Sequence, residues 1–207
     1  MNLIARPATV GARGIDTAAK ILTPADCHAL RSDGIDFVVR YLPTLKRAEV
    51  QDITDAGLAL MAVCYADKFN GPTTVQAALD AGLPLGTTIW CDLESDHDTA
   101  AQVAAAINPW AIYVANKRFD PGIYVGCDQP LDAHGLYQLA VDRYWRSASW
   151  VPEPVCGYTM YQLRGASNVM RAGVLIDLDF IEQDKHGRVP TWAVCGEAPT
   201  LPDLSAA

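Results

Sequence analysis

The sequence predicts an α/β fold: a TIM-like barrel of eight strands forming a single domain. Strand-like and helix-like runs alternate through the first two thirds of the chain, which argues for a parallel sheet, and the strand-like runs number eight, which argues for closure. The last three strand-like runs follow one another through links of about seven or eight residues, too short for a packed crossover helix. Dropping those helices explains how 207 residues can suffice where a complete eightfold barrel takes about 250.

In order, Gly14 to Ala18 is a brief strand ending near Asp16, and Thr23 to Asp33 reads as a helix with Thr23 as N-cap and Pro24 at its first position. Asp36 to Leu42 is β-branched and aromatic, hence a strand. Leu45 to Ala56 carries Ala48, Val50, Ile53 and Ala56 at helical spacing and closes on Gly57. Leu58 to Tyr65 is the third strand, Thr73 to Ala81 the third helix, and Thr88 to Ser95 the fourth strand. The alanine-rich run Thr99 to Ile107 is the fourth helix, Gly122 to Gly126 the fifth strand, and Gly135 to Arg143 the fifth helix. Tyr144 to Trp150, Tyr158 to Arg164 and Gly173 to Glu182 complete the eight. The whole of 1–207 is expected to be one domain, with the barrel over about 14–192 and 193–207 a loosely held tail. An open doubly wound sheet is the runner-up, but no GxGxxG or GxxxxGK[ST] follows any strand.

Half of the side chains are hydrophobic, and 24 acidic residues against 16 basic ones give a net charge of -8. That balance argues against a nucleic acid partner, because a phosphate backbone is held by a basic patch. No apolar run approaches the roughly 18 residues of a membrane span, and the first residues lack the apolar segment of a signal peptide. The expectation is a product that is cytoplasmic as made, unless another factor carries it out or the host exports it. Six cysteines show no CxxC pair and no Cys/His cluster, so reduced, structural thiols are expected rather than a zinc site.

Thr88 to Ser95 is the stretch that points to chemistry. Side chains alternate across a strand, so Asp92 and Glu94 share a face with Trp90 while Ile89, Cys91 and Leu93 take the other. In a barrel the site lies at the C-terminal strand ends. That rule collects Asp16 from the first strand, Asp92 and Glu94 from the fourth, and Asp177 and Asp179 from the eighth. The first and eighth strands are neighbours and the fourth lies across the lumen, so the acids converge. Crowded carboxyls in a low-dielectric cup repel, which keeps a proton on at least one of them. A proton-holding acid beside ionised partners is the arrangement that cleaves glycosidic bonds. Glu94, the longer of its pair and nearer the strand end, is the expected proton donor, with Asp92 as its ionised partner. The alternative is that these acids cap helices or pair with Arg40 and Arg146.

Aromatic residues gather at the same end: Tyr41, Tyr65, Tyr124, Trp150 and Tyr161. Flat rings with polar edges suit sugar faces. Arg40, Tyr65, Tyr124, Trp150 and Gln162 are the candidate substrate contacts. A metal reading would rest on Asp92, Glu94, Asp96, His97 and Asp98, but capping accounts for Asp96 and Asp98, so neither metal nor cofactor is expected. No GxSxG elbow is present, which disfavours serine hydrolase chemistry.

Taken together, the opening GIDTA, FVVRYL, WCDLES with its DxE, GIYVG, the SASW run, YQL and the closing IDLDF resemble the glycoside-hydrolase-like domain of actinobacterial cell-surface proteins and phage lysins, related to family 25 glycoside hydrolases, the N-acetylmuramidases. The resemblance covers roughly Gly14 to Trp192 and implies a (β/α)5β3 barrel that cleaves the sugar backbone of peptidoglycan. By position it implies Glu94 as general acid, with Asp16, Asp92 and Asp177 or Asp179 around the cleaved bond, where the substrate's N-acetyl group serves as nucleophile. One departure is that Ala18, Ala19 and Lys20 replace the Ser-rich, Gln-containing segment that usually continues the muramidases' first strand. The reading is a lysozyme-like peptidoglycan hydrolase of the endolysin kind. The alternatives are an inactive wall-binding or virion module on the same barrel and, further off, a metal-dependent phosphodiesterase.

Overall fold

The sequence builds its strands where β-branched and aromatic residues alternate, and its helices where a capping side chain meets an apolar stripe. A computed structural model describes residues 2–66, 70–94 and 99–196. The elements are β1 (Leu3–Pro7), β2 (Arg13–Thr17), α1 (Pro24–Ser32), β3 (Phe37–Tyr41), α2 (Arg47–Asp55), β4 (Ala59–Tyr65), α3 (Gly71–Ala81) and β5 (Thr88–Leu93). They continue with α4 (Ala100–Asn116), β6 (Asp120–Val125), α5 (Ala133–Tyr137), β7 (Arg143–Arg146), β8 (Met160–Gln162), β9 (Val169–Arg171), β10 (Val174–Ile181) and β11 (Thr191–Cys195).

Eight of these strands close into a mixed barrel in the order β2-β3-β4-β5-β6-β7-β8-β10 and back to β2. Every step from β2 round to β8 is parallel. The eighth strand, β10, corrects the expected all-parallel sheet: it runs antiparallel to both β8 and β2. The chain reaches β10 through a tight hairpin from β9, with Leu175 opposite Met170, so it enters the ring from the mouth and runs toward the floor.

Local chemistry explains the helix starts. Thr23 and Asp26 form a reciprocal capping box ahead of Pro24, Asn70 and Thr73 do the same for α3, and Thr99 and Gln102 for α4. Gly82 ends α3 in the left-handed conformation. Two boundaries differ from expectation. Helix α4 runs on past Ile107 and through Pro109, because Trp110, Ala111 and Val114 are buried and the Trp110 indole donates to Thr74 Oγ1 at 3.0 Å; that burial offsets the bond a mid-helix proline removes. Helix α5 stops at Tyr137, because Arg143 is taken by the ladder of β7 opposite Gly122.

Beyond the barrel, β1 pairs with β11, and β11 bridges β4 at Ala193 opposite Leu60. Residues 193–195, expected in a loose tail, are therefore paired, and Trp192 packs on Phe37 with ring centroids 5.8 Å apart. Among the described residues no helix is long and apolar enough to cross a membrane. Cys27, Cys64, Cys91 and Cys156 are buried.

Alternation sorts the barrel's side chains into two clusters. Ile15, Val38, Leu60, Ile89, Cys91, Leu93 and Ile123 face the helices, while Phe37, Val39, Met61, Trp90, Trp145 and Met160 fill the lumen. Glycine makes room for the rings: a Cβ on Gly14 would fall 2.3 Å from Phe37, and one on Gly122 would fall 2.5 Å from Trp90. The rings pack into a plug beneath the polar mouth.

Arg40 lies on the helix-facing side, 1% exposed, with Nε 2.8 Å from Glu49 Oε1. It donates to the backbone carbonyls of Thr17 and of Lys20, and Glu49 accepts from Leu22 N at 2.8 Å. The pair therefore straps the segment after β2. Arg40→Leu would strand the Glu49 carboxylate in the core, and a loss of about 3–5 kcal/mol is expected in urea denaturation; a loss below about 1 kcal/mol would show that the strap carries no load.

Candidate active site

Because side chains alternate, each barrel strand offers one or two residues to the mouth. Asp16 comes from β2, Tyr41 from β3, Tyr65 from β4, Asp92 from β5, Tyr124 from β6, Gln162 from β8 and Asp177 from β10, with Glu94 just past the end of β5. Reversal of β10 does not move its acids away. It places Asp177 opposite Asp16 and Asp179 opposite Gly14, so Asp177 belongs to the mouth and Asp179 to the layer below.

Gln162 is the hub. Its Nε2 donates to Asp16 Oδ2 at 2.7 Å and to Asp177 Oδ2 at 3.2 Å, while its Oε1 accepts from Tyr124 OH and from Ala148 N, both at 3.1 Å. Every bonding position of the amide is filled, and the opposite orientation would aim an oxygen at two carboxyls. One nitrogen reaching both acids keeps these oxygens closer together than the roughly 6.5–9.5 Å that separates an inverting glycosidase pair.

Electrostatics follow from depth. Asp16 is 6% exposed, and burial, then the Asp177 charge, push its pKa up to about 7 against the hydrogen bonds from Gln162 and Asp179. Burial likewise raises Asp177, opposed by the hydrogen bond from the Asn168 backbone N–H, with neighbouring Glu94 adding to the rise. Asp179, fully buried, is raised well above the carboxylate range by burial and then by Asp16. The Tyr41 and Tyr124 hydroxyls are held as phenols by burial and by the surrounding carboxylates. Tyr41 OH donates to Asp92 Oδ2 at 3.4 Å, and the Tyr41 ring lies tilted against Tyr65 with centroids 4.8 Å apart.

Glu94 stands at the exposed rim. Its Oε1 accepts from Cys127 Sγ at 3.3 Å. Gly126 lets it lie close, since a Cβ there would fall 2.5 Å from the Glu94 Cβ. Its charge bears on Asp177, Tyr41 and Tyr124, so it faces the same cup. Beside the acids, a cavity of about 330 Å³ opens between Asp16, Thr17, Ala18, Tyr41, Asn168 and Asp177.

The predicted residues thus divide. Asp16, Asp92, Glu94, Asp177, Tyr65, Tyr124 and Gln162 gather at one mouth. Asp179 is beneath it, out of a substrate's reach, bonded at Oδ1 by the Trp145 indole at 3.0 Å. Arg40 faces the helices and does not line the cup. Trp150 is 89% exposed, in the segment after β7, with the Arg164 guanidinium 3.6 Å from its ring centre. Tyr161 and Arg146 lie on the outer wall, Tyr161 stacked on Phe180 at 5.5 Å and Arg146 over the Tyr161 ring at 5.2 Å. Asp96, His97 and Asp98, on which a metal reading leaned, lie outside the described residues.

Four contributors fall outside the residues that the sequence singles out. Cys127 could have been found, since it lies two residues past the end of β6. Trp145 alternates inward from β7 and was equally open to discovery. The backbone N–H groups of Ala148 and Asn168 leave no trace in residue type.

Comparison with known proteins gives the barrel its relatives. The family described as Rv2525c-like, glycoside hydrolase-like domain matches residues 28–180. No curated protein matches. A crystal structure of an uncharacterized B. stearothermophilus protein is similar with a TM-score of 0.65 at 19% identity, covering 83% of this chain and 96% of that one. A xylose isomerase-like TIM barrel/4-hydroxyphenylpyruvate dioxygenase fusion protein is similar with a TM-score of 0.50 at 11% identity, over 68% of this chain and 27% of that one. At these identities the likeness is one of fold.

The buried acids set a pH dependence. An acid whose pKa is higher folded than unfolded stabilises the fold only at low pH: the contribution is full below the unfolded value of 3.8 and is lost as pH rises, for Asp16 through about 7. Asp179→Asn removes the deepest of these acids. The variant is expected to melt higher than the parent at pH 8 and to lose most of that advantage at pH 4, as followed by circular dichroism; equal shifts at both pH values would contradict the assignment.

Proposed function

The chain belongs to the Rv2525c-like glycoside hydrolase-like domain family, and from that premise we propose that it is a glycosidase acting on the sugar backbone of peptidoglycan, with Glu94 as proton donor. The observation that carries this reading is the pairing of Asp16 and Asp177 on one amide nitrogen of Gln162, across the mouth from Glu94. Family membership supports glycoside chemistry, and the resemblance of WCDLES and IDLDF to the muramidase motifs supports the substrate. Five barrel strands followed by helices and three without them fit the (β/α)5β3 arrangement of that group.

In this reading Glu94, exposed at the rim, delivers the proton to the leaving group. Asp177 lies on the cup side, where positive charge grows on the sugar ring, and offsets it. Asp16, fixed by Gln162, orients the neighbouring sugar substituent, in keeping with assistance by the substrate's own N-acetyl group. Tyr41 steadies Asp92. Trp150, exposed two residues beyond the Ala148 N–H that bonds Gln162, offers the ring face that Arg164 leaves open as a rest for a longer glycan.

Release of reducing ends from purified cell walls tests the proposal. Glu94→Gln is expected to lower the rate by roughly 10² or more, with wall binding unchanged. Equal release by both proteins removes Glu94 from the mechanism; no release by either, with retention on the walls, favours a wall-binding module instead. Trp150→Ala is expected to weaken wall binding by roughly tenfold at most while leaving turnover of short oligosaccharides intact, and a loss of both would place Trp150 in the fold rather than in a subsite.

A further inference from the structure

Beneath the cup lies a group that no step above uses. Asp179 is 0% exposed, and its Oδ1 accepts the Trp145 indole N–H at 3.0 Å. Its Oδ2 is also buried and meets no N–H or O–H donor among the described residues. The side chain it does meet is Asp16, a second acid. Asp16 Oδ2 is already committed to Gln162.

Two carboxyl groups in contact, with no cation between them, can stay together only if one keeps a proton and donates it to the other. No ion pair among the described residues reaches either group. The titratable groups facing the pair are Asp177 on the same strand as Asp179 and Asp92 across the lumen. Glu94, Tyr41 and Tyr124 stand higher in the cup. All of these are acids or phenols. Solvent reaches Asp16 but not Asp179, so the deeper group is the one that cannot ionise.

We propose that Asp179 is a neutral carboxylic acid whose Oδ2–H donates to Asp16, making Asp179 a positioning residue that aims the Asp16 carboxylate at the cup. Its carbonyl oxygen then faces the Trp145 N–H and its hydroxyl faces Asp16, which satisfies both ends. The same geometry would suit asparagine. Asp16 is thereby held from two sides, by Asp179 below and by Gln162 beside it. Its role in turnover rests on the glycosidase reading; its protonation does not.

The test is a carboxyl ¹³C titration of aspartate-labelled protein from pH 4 to 9, with Asp16 and Asp179 assigned from Asp16→Asn and Asp179→Asn. The Asp179 resonance is expected to hold its protonated shift through neutral pH. Since asparagine keeps a donor and adds no charge change, Asp16 in Asp179→Asn is expected to titrate within a few tenths of a pH unit of the parent. In Asp179→Leu, which removes the donor, its midpoint should rise. A fall of about one pH unit or more for Asp16 in Asp179→Asn would show that Asp179 is an anion in the parent, and would overturn the proposal. If Asp179→Leu does not fold, the asparagine comparison decides alone. With activity in hand, Asp179→Asn should preserve the pH profile of the parent, whereas a merely structural role would leave the profile of Asp179→Leu unshifted as well. Absence of activity would sink the glycosidase reading and leave the titration as informative as before.

Discussion

The whole arrangement depends on one reversed strand. Were β10 parallel to β2, its acids would alternate in the same way but its far end would reach the mouth, and Asp179 rather than Asp177 would be the upper group. Entry through the β9 hairpin instead sets Asp177 opposite Asp16 and drops Asp179 to the level of the Trp145 indole. Antiparallel pairing sets residues directly opposite one another across the seam, and Asp177 is the residue that meets Asp16. Two acids therefore face each other with a third immediately below, and one glutamine from the strand on the other side of β10 bonds both of the upper ones.

That crowd is tolerable because of what lies under it. Phe37, Trp90, Trp145 and Met160 close the lumen against water, and they do so only because Gly14 and Gly122 leave the space their rings occupy. A solid apolar floor removes water from one side of the acids, strengthens their mutual repulsion and keeps protons on the deepest. The same floor costs stability at neutral pH, since the unfolded chain would gladly ionise the groups that the fold keeps neutral. A core that needed only to be stable would hold leucine at 179, as it holds Leu178 on the opposite face.

Much of this was legible in residue order. Ile89, Cys91 and Leu93 alternating with Trp90, Asp92 and Glu94 told which face of β5 looked inward, and the same reading worked for Asp177 and Asp179. Strand direction was not legible, because alternation is unchanged when a strand is turned round. Arg40 could have been placed correctly from its neighbours: Val39 and Tyr41 face the lumen, so Arg40 between them faces the helices. The alanine-rich run marks only the first half of α4, which continues beyond Ile107 through Pro109 because Trp110 and Val114 are buried there. The paired strands β1 and β11 have ordinary strand composition outside the eightfold alternation, so residue order alone does not tie them to the barrel. The hydrogen bonds from Ala148 N and Asn168 N belong to backbone, which residue identity does not report.

The buried Arg40–Glu49 pair gains meaning in this setting. A charge pair of that kind is poor evidence for stability, since an apolar pair of similar volume often serves as well. Its guanidinium, however, spends its remaining donors on the carbonyls of Thr17 and Lys20, and Glu49 holds Leu22 N. Thr17, Ala18 and Ala19 form one wall of the cavity beside Asp16. A hydrophobic pair could fill the same volume but could not grip three backbone groups of an irregular segment. The ion pair is thus best understood as the frame of the cup's edge, doing for the backbone beside Asp16 what Gln162 and Asp179 do for its carboxylate.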